Sequence, residues 1–197
     1  MRKPAPVDHP VHDLIRERFS PRAFSPRPFD DKTLASLLEA ARWAPSSFNE
    51  QPWYFVIARR DDEEAFARML ACLKPANQTW AQSAAVLMLA VARLSFARNG
   101  QPNRHAVHDV GIACAHLAIQ ATAMGLGVHM MAGFDAAKAR ESLAIPEGME
   151  PVSAIAIGHP ASLEELTPEG RERAARPRER KALNDFVWTG TWGASWQ

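Results

Sequence analysis

The sequence predicts an α+β fold with a largely antiparallel sheet, on the basis of three observations. Helix-type and strand-type hydrophobic patterns alternate along the 197 residues. No G-x-G-x-x-G motif opens a helix and no Walker-type phosphate loop is present, so a parallel dinucleotide-binding sheet is not indicated. Several connections are short enough for hairpin-like pairing of neighbouring strands. We therefore expect helices that flank a central, mostly antiparallel sheet.

The first half of the chain contains three helix patterns and two strand patterns. We predict helices over residues 12–17, from Asp30 or Asp31 to about Trp43, and from Asp61 to about Cys72, and strands over 53–59 and 84–92. Apolar residues three and four positions apart give the second helix one buried face. Aromatic and β-branched residues favour the first strand, and a continuous apolar run indicates that the second strand is buried.

A long helix from about Asn103 to Met124 dominates the second half of the chain. Its residues are apolar nearly all round, which is typical of a helix that is covered on both sides. Because a chain of this size has few places to bury such a helix, we expect a dimer interface along it. Gly125 and Gly127 end the helix.

The remaining core elements are short. An extended piece is predicted over residues 128–131, a helix from Asp135 to about Leu143, and a last strand over 152–157. Pro146 stops the helix before the last strand begins.

The composition changes after the last predicted strand. Residues 162–181 are dominated by Glu, Arg and Pro and cannot form a core of their own. Apolar and aromatic residues then follow, namely Leu183, Phe186, Val187, Trp188 and Trp192. We therefore expect a single domain over residues 1–197, in which 161–197 form a charged linker and an extended C-terminal arm. A partner subunit is a plausible surface for that arm to dock on.

The overall composition narrows the class of protein. Apolar residues make up 47% and charged residues 23%, as in an ordinary soluble globular protein, and the formal net charge is +1. Nothing in this balance indicates nucleic acid or an anionic membrane as a partner. No signal peptide is visible, and the longest apolar run, residues 84–92, is too short to span a bilayer. We expect a cytoplasmic protein.

Residues 44–53, which read Ala-Pro-Ser-Ser-Phe-Asn-Glu-Gln-Pro-Trp, form the most informative connection in the chain. Proline fixes φ and so holds the neighbouring polar groups in one geometry. Short hydroxyl and amide groups on a stiff loop suit a flat polar ligand that offers both donors and acceptors. The alternative is an ordinary proline-rich connection between a helix and a strand.

Arginines cluster near both ends of the chain. Arg18 and Arg22 flank Ser20, and Arg178 and Arg180 stand two positions apart near the C-terminus. On an extended segment, residues two apart point the same way, so paired guanidiniums suit a phosphate. The alternative is a solvated charged surface.

Histidines and cysteines give weaker signals. The segments 9–13 and 105–109 both read His-x-x-His-Asp, a spacing that is compatible with a metal ion. The first contains a proline and the second lacks a clear third ligand, so we assign no metal site. Cys72 and Cys114 lie in apolar surroundings outside any recognisable nucleophile motif, and no G-x-S-x-G is present.

Taken in order, several segments resemble the nitroreductases, the FMN-dependent NAD(P)H oxidoreductases. Residues 18–24 (Arg-Phe-Ser-Pro-Arg-Ala-Phe) are similar to the N-terminal signature of that family, and residues 44–53 are similar to its flavin loop. The pattern continues with Gly-Leu-Gly at 125–127, Ala-Gly-Phe-Asp at 132–135 and Ile-Gly-His-Pro at 157–160, and it ends in the C-terminal pair of arginines. The order and spacing match over nearly the whole chain.

The resemblance implies a nitroreductase-like fold and an obligate homodimer with shared active sites. The cofactor-binding residues that it implies are Arg18, Phe19, Ser20, Arg22, Pro45, Ser46, Ser47, Asn49, Gln51, Asn77, Ala132, Gly133, Arg178 and Arg180. The N-terminal group and the loop group would come from opposite subunits. The Gly133 region would lie beside the flavin N5 edge, and Arg178 with Arg180 or Lys181 would clamp the phosphate. Asn77 lies in a segment where some members carry a Lys or Arg near the flavin O2.

The activity implied by the resemblance is that of an FMN-dependent oxidoreductase. Such an enzyme passes a hydride from NADH or NADPH through flavin N5 to an electron-poor acceptor, such as a nitroaromatic or a quinone, in a ping-pong cycle. No catalytic side chain is assigned, because the chemistry lies on the flavin. Residues 93–104 are predicted to be a lid that is flexible at Gly100, with Phe96 as a wall. The alternatives are a flavin-binding sensor or carrier with little turnover, and a metal-dependent hydrolase that uses the His-x-x-His-Asp segments.

Overall fold

A computed structural model describes residues 3–196, so the first two residues and the last residue of the domain predicted over 1–197 lie outside the described residues. Four strands form one sheet in the order β1-β2-β4-β3. Their bounds are β1 Trp53–Arg59, β2 Val86–Arg93, β3 Gly127–Met131 and β4 Met149–Gly158. Every pairing in this sheet is antiparallel. The α+β class with a mostly antiparallel sheet is therefore confirmed.

The α-helices of the described residues lie where the patterns predict them, with two additions. Their bounds are α1 Asp13–Glu17, α2 Asp31–Arg42, α3 Glu63–Ala71, α4 Pro75–Ala81, α5 Ala106–Ala123, α6 Ala136–Ser142 and α7 Pro168–Ala175. Short 3₁₀ turns occupy Ser47–Asn49 and Leu183–Asp185. Two of the predicted caps are present: the Asp30 carboxylate accepts from the Thr33 amide at 2.8 Å, and that of Asp135 accepts from the Lys138 amide at 3.0 Å.

Helices α4 and α7 are the additions, and both begin with a proline. Pro75, predicted only to close α3, occupies the first turn of α4, where the missing amide hydrogen costs nothing. In the arm predicted to be extended, Pro168 plays the same part in α7, and the Thr167 hydroxyl caps the helix by accepting from the Gly170 amide at 3.1 Å. The composition of residues 162–181 favours an irregular segment, because it offers no apolar face. The helix that forms there is almost entirely polar and exposed.

The last strand begins three positions earlier than predicted and contains Pro151. The register between β2 and β4 shifts at this point, because Ala90 pairs with Ser153 whereas Val91 pairs with Pro151. Val152 is the extra residue of this bulge. A proline cannot donate to the ladder, so it is tolerated at an irregularity of this kind.

The sheet separates two hydrophobic layers. On one face, Leu37 of α2 and Leu117 of α5 pack against Met88 and Ile155 of the sheet. On the other face, α3, α4 and α6 pack against the alternate residues of the same strands. Strand β2 is buried on both faces, as its continuous apolar run predicts.

Helix α5 is covered on one side only within a single chain. Val110, Cys114 and Leu117 are buried against the sheet, whereas Gly111 and Ala115, one turn apart on a different face of the helix, are exposed. The dimer interface predicted along this helix stays a prediction, and so does the cytoplasmic location. None of the helices formed by residues 3–196 is long and apolar enough to cross a membrane.

Candidate functional site

The segment of residues 18–22, called the basic segment below, is tied down by an arginine from the far end of the chain. The Arg178 guanidinium donates to three backbone carbonyls, those of Lys3 at 2.7 Å, Arg16 at 3.1 Å and Arg18 at 2.9 Å. Two of these carbonyls lie at the C-terminal end of α1, where a cation is favourable. Arg178 therefore fixes the backbone that carries the predicted ligands, in addition to any role with a bound anion.

Three predicted phosphate ligands lie close enough to repel one another. Burial lowers the pKa of the Arg18 guanidinium, and the charge of Arg180 lowers it further. Burial likewise lowers the pKa of Arg178, with Arg18 and Arg180 adding to the effect. Like charges that are partly removed from water are unfavourable unless an anion joins them. The charge of Arg180 thus lowers the pKa of both Arg18 and Arg178.

A histidine on strand β3 holds the basic segment by a hydrogen bond. The His129 ring donates from Nδ1 to the Pro21 carbonyl at 2.8 Å, and since a carbonyl can only accept, this nitrogen carries the proton. The same ring lies 4.5 Å from the Trp80 ring. Burial lowers the pKa of His129, and the charges of Arg22 and Arg18 act in the same direction. The hydrogen bond to Pro21 opposes this shift, because a charged imidazolium donates more strongly than a neutral ring.

The loop of residues 45–51, called the amide loop below, is folded tightly on itself. The Ser46 hydroxyl accepts from the Gln51 amide at 3.0 Å, and the Gln51 side chain donates to the Asn49 carbonyl at 3.1 Å. Phe48, Asn49 and Gln51 have φ values of 53°, 54° and 52°. Left-handed backbone at three non-glycine residues costs free energy and is found mostly at functional sites.

A buried carboxylate holds the amide loop in place. Asp109, on the first turn of α5, is only 2% exposed. Its Oδ2 accepts from the Ser47 amide at 3.0 Å, and its Oδ1 accepts from Nδ1 of His108 at 3.0 Å. Sequence reasoning placed Asp109 only in a possible metal motif and missed this role. An acidic residue on the buried side of an apolar helix was the available signal, because such a group needs partners.

Asn77 and Gly133, predicted from separate motifs, are in direct contact. The Asn77 side chain donates to the Gly133 carbonyl at 2.9 Å, and the Lys74 amide donates to the same oxygen at 2.9 Å. A Cβ on residue 133 would collide with the Asn77 amide nitrogen, so a larger residue there would displace the Asn77 side chain and its hydrogen bond to the Gly133 carbonyl. The neighbouring Ala132 carbonyl accepts from the Phe134 amide at 3.0 Å. The peptide at 132–133 is therefore held in one orientation.

The two predicted halves of the site are not joined within one chain. Among the hydrogen bonds, ion pairs and ring contacts of the described residues, none links the amide loop with the basic segment or with Arg178 and Arg180. Phe19, Ser20 and Arg22 instead line a cavity of about 360 Å³ against α7. Pro45 is exposed at the start of the amide loop.

Nothing in the histidine and cysteine arrangement resembles a catalytic metal or nucleophile site. Over the part of the chain that the structure describes, no three or more His, Cys, Asp or Glu side chains gather as metal ligands. The ring of His12 caps α1 by accepting from the Leu14 amide at 3.2 Å. Burial raises the pKa of the Cys114 thiol to about 11 and also raises that of Cys72. Both thiols are therefore protonated and poorly nucleophilic near neutral pH.

Comparison with known proteins gives a consistent assignment. The model of the nitroreductase family matches residues 15–159. A protein of Archaeoglobus fulgidus described as an NADH dehydrogenase/NAD(P)H nitroreductase is 31% identical over 151 residues, which cover 75% of this chain and 83% of that protein. A crystal structure described as an oxidoreductase containing FMN is 33% identical, with a TM-score of 0.89 and coverage of 97% of both chains. A nitroreductase from Desulfovibrio desulfuricans in complex with FMN is 25% identical, with a TM-score of 0.73 and coverage of 92% of this chain and 96% of that one.

Proposed function

The chain belongs to the nitroreductase family, and on that premise we propose that it reduces an electron-poor acceptor, a nitroaromatic or a quinone, with a hydride from NADH or NADPH. Its class is that of the family: it is an NAD(P)H-dependent oxidoreductase with FMN as its cofactor. The acceptor, the ping-pong order of the two half-reactions and the homodimer belong to the proposal.

The observation that carries the proposal is the cluster formed by Arg18, Arg178 and Arg180. Their guanidiniums repel one another while burial already disfavours their charges, as the lowered pKa values of Arg18 and Arg178 indicate. A phosphate monoester brings up to two negative charges and several acceptor oxygens, and Arg can bind it with two parallel hydrogen bonds. The donor set therefore fits the phosphate of FMN, and Arg18 and Arg180 are the residues best placed to hold it.

The remaining predicted ligands suit a flat heterocycle with a polyhydroxyl chain. Ser20 and Arg22 would bind the chain and the pyrimidine edge of the flavin, and Phe19 belongs to the same segment. The opposite rim would be formed by the amide loop, through Pro45, Ser46, Ser47, Asn49 and Gln51. On the N5 side, Asn77 fixes the Gly133 peptide, which supports a backbone contact there. These residues bind and orient the cofactor, and none of them is a nucleophile.

When bound, FMN supplies the redox chemistry by accepting a hydride and passing two electrons to the acceptor. For a quinone the balanced reaction is quinone plus NAD(P)H plus a proton, giving hydroquinone plus NAD(P)⁺. The chain needs to hold the donor, and later the acceptor, against the same face of the ring. Because no protein group forms a bond with either substrate, the protonated Cys72 and Cys114 have no part in this chemistry.

A homodimer would complete the site. No hydrogen bond, ion pair or ring contact joins the amide loop to the arginine cluster within the described part of one chain, whereas the proposed site places both around one flavin. The uncovered side of α5, with Val107 47% exposed, supports an interface along that helix. Phe186 and Trp192 of the arm are also exposed, at 53% and 87%, which is consistent with an arm that docks on a second copy.

The test of the proposed function is a visible absorption spectrum followed by steady-state kinetics. A yellow protein that releases FMN on heating and bleaches with NADH or NADPH is the expected result. Initial rates with 1,4-benzoquinone at several donor concentrations should give parallel double-reciprocal lines, as a ping-pong cycle requires. Intersecting lines would refute the ping-pong order. Firmly bound FMN with negligible quinone turnover would favour the sensor or carrier instead.

A further inference from the structure

The segment between β2 and α5, predicted as a flexible lid, is a hydrogen-bonded hairpin. Ser95 and Pro102 form a bridge, and the Phe96 amide donates to the Gln101 carbonyl at 2.8 Å. The turn is closed by the Gly100 amide, which donates to the Phe96 carbonyl at 2.8 Å, and Gly100 itself has a φ of +70°. The tip of this hairpin, residues 96–100, is therefore a defined structural feature.

The hairpin tip packs on the amide loop. The Ala97 amide donates to the Glu50 carboxylate at 2.5 Å, so the two segments are linked through a charged acceptor. The Phe48 and Phe96 rings meet edge to face, with centroids 5.8 Å apart. The Arg98 guanidinium lies 4.7 Å from the centre of the Phe48 ring and 5.3 Å from that of Phe96. These three side chains are called the aromatic rim below.

Phe48 has an exposed side chain and a strained backbone, both of which are unfavourable for the stability of the protein. Its side chain is 75% exposed and its φ is +53°, between Ser47 and Asn49 of the amide loop. An exposed phenyl ring forgoes the favourable burial of its apolar surface. Strain and exposure at one residue are characteristic of a surface that receives a ligand. A flat aromatic ligand would recover this free energy by stacking on the open part of the ring.

The hairpin segment that contributes to the aromatic rim is positively charged. Residues 93–104 contain Arg93, Arg98 and Arg104 and no Asp or Glu. No ion pair forms at Arg98 among the residues that the structure describes, and its contacts with the two rings leave its charge available. The carboxylates beside the amide loop, Glu50 and Asp109, accept from the Ala97 and Ser47 amides, and neither forms an ion pair with Arg98 among the described residues. An anionic substituent on a stacked ligand would thus meet a guanidinium with free donors.

We propose that the aromatic rim selects the acceptor and favours flat aromatic acceptors that carry a carboxylate or sulfonate over neutral acceptors of the same shape. Phe48 and Phe96 provide the stacking surface, and Arg98 binds the anionic group. This inference rests on the proposed function, because it places the acceptor beside the amide loop that borders the flavin. It adds a substrate class to that function.

The test compares 4-nitrobenzoate with 4-nitrobenzamide, two acceptors of nearly equal shape that differ in charge. The ratio of their kcat/KM values is measured for the wild type, Arg98→Gln and Arg104→Gln. Comparing each variant with the wild type cancels the different intrinsic reactivity of the two nitro groups. Arg104 is the matched control, since it is an exposed arginine of the same segment. We expect Arg98→Gln to lower the ratio about 5- to 10-fold, as loss of one charged contact would. Arg104→Gln should leave it nearly unchanged.

A second measurement does not depend on turnover. Benzoate, which cannot be reduced, should perturb the flavin absorbance and bind the wild type more tightly than benzamide does. Arg98→Gln should abolish this preference, and Phe48→Ala should weaken both ligands.

The outcomes separate the inference from the proposed function. If 1,4-benzoquinone is reduced normally but Arg98→Gln leaves both the kcat/KM ratio and the benzoate preference unchanged, the inference is wrong and the proposed function stands. A preparation that binds no FMN and oxidises neither NADH nor NADPH with any acceptor would overturn both. An equal fall of the kcat/KM ratio in Arg98→Gln and Arg104→Gln would show a general effect of positive charge. That result would also contradict selection of the acceptor by Arg98.

Discussion

The basic segment and the amide loop achieve fixed geometry in opposite ways. The basic segment is charged and is held by a residue 160 positions away, through the hydrogen bond from Arg178 to the Arg18 carbonyl. The amide loop carries its polar groups within seven residues and is shaped by local hydrogen bonds and left-handed backbone. Its distant supports are Asp109 of α5 and the hairpin tip that packs on Phe48 and Glu50.

This difference separates two tasks of a binding site. Charge acts over several ångströms, so the arginine cluster can attract an anion without close shape matching. Hydroxyl and amide groups act only at hydrogen-bond distance, so the amide loop must be rigid before the ligand arrives. We expect the first region to dominate affinity and the second to dominate orientation.

The largest expected effect concerns whether the two regions act on one flavin from two subunits. Arg18→Ala should weaken FMN binding by about 1.5–3 kcal/mol, because a hydrogen bond to a charged group is lost. Asn49→Ala should also weaken it. Co-refolding the two variants should restore tight binding in about a quarter of the sites, since half of the dimers would be mixed and each would contain one intact site.

Equilibrium dialysis of FMN against the co-refolded sample measures this fraction. Arg16→Ala is the matched control, because Arg16 lies in α1 two positions before Arg18 and offers only its carbonyl to Arg178. Recovery near zero would mean that both regions serve a flavin within the same chain.

An intermediate effect is expected at the support of the amide loop. Asp109→Ala would leave the Ser47 amide without its acceptor, at a cost of about 1–3 kcal/mol in the free energy of unfolding. Asp109→Asn keeps one carbonyl oxygen and should lose less. Urea denaturation of the apoprotein gives the stability, and FMN titration gives the affinity. His108→Ala removes the other partner of the carboxylate but leaves the Ser47 contact, so it should lower stability and change FMN affinity less than Asp109→Ala does. If the Asp109→Ala variant bound FMN with unchanged affinity, the loop geometry that Asp109 maintains would not be needed for cofactor binding.

The smallest expected effect is a pH dependence of stability that arises mainly at His129, which bonds the basic segment through Pro21. Burial lowers the pKa of His129, so the unfolded chain takes up a proton on that side chain at a higher pH than the folded one. Stability should therefore fall as the pH drops below about 6.5, the ordinary imidazole pKa, and through the lowered pKa of the folded state. His159, whose pKa is also lowered by burial, contributes in the same direction.

Denaturation at several pH values between 5 and 8 measures this dependence. His129→Gln should flatten the curve, with the part due to His159 remaining. His9→Gln, an exposed histidine near the N-terminus, is the control. An unchanged slope in His129→Gln would mean that the imidazole does not titrate with folding.

Much of the fold followed from local pattern. Strand β1 has the predicted bounds, and the caps at Asp30 and Asp135 lie where short acidic side chains precede an apolar repeat. The polar helices were harder: α7 lacks a buried face, so hydrophobic periodicity could not reveal it. The hairpin at 95–102 was also missed, because its order comes from backbone hydrogen bonds and from packing on the amide loop.

By itself, the sequence determined the class of fold and the family resemblance, and it predicted which residue types would surround a flavin. Those properties depend on local spacing and on side-chain chemistry, which the sequence states directly. Only the tertiary structure showed that Arg178 holds the Arg18 backbone, that Asp109 supports Ser47, and that Arg98 covers Phe48. Each of these contacts joins residues that are distant along the chain. Their pairing is decided by how the helices and the sheet pack, because packing alone determines which side chains come within a few ångströms of one another.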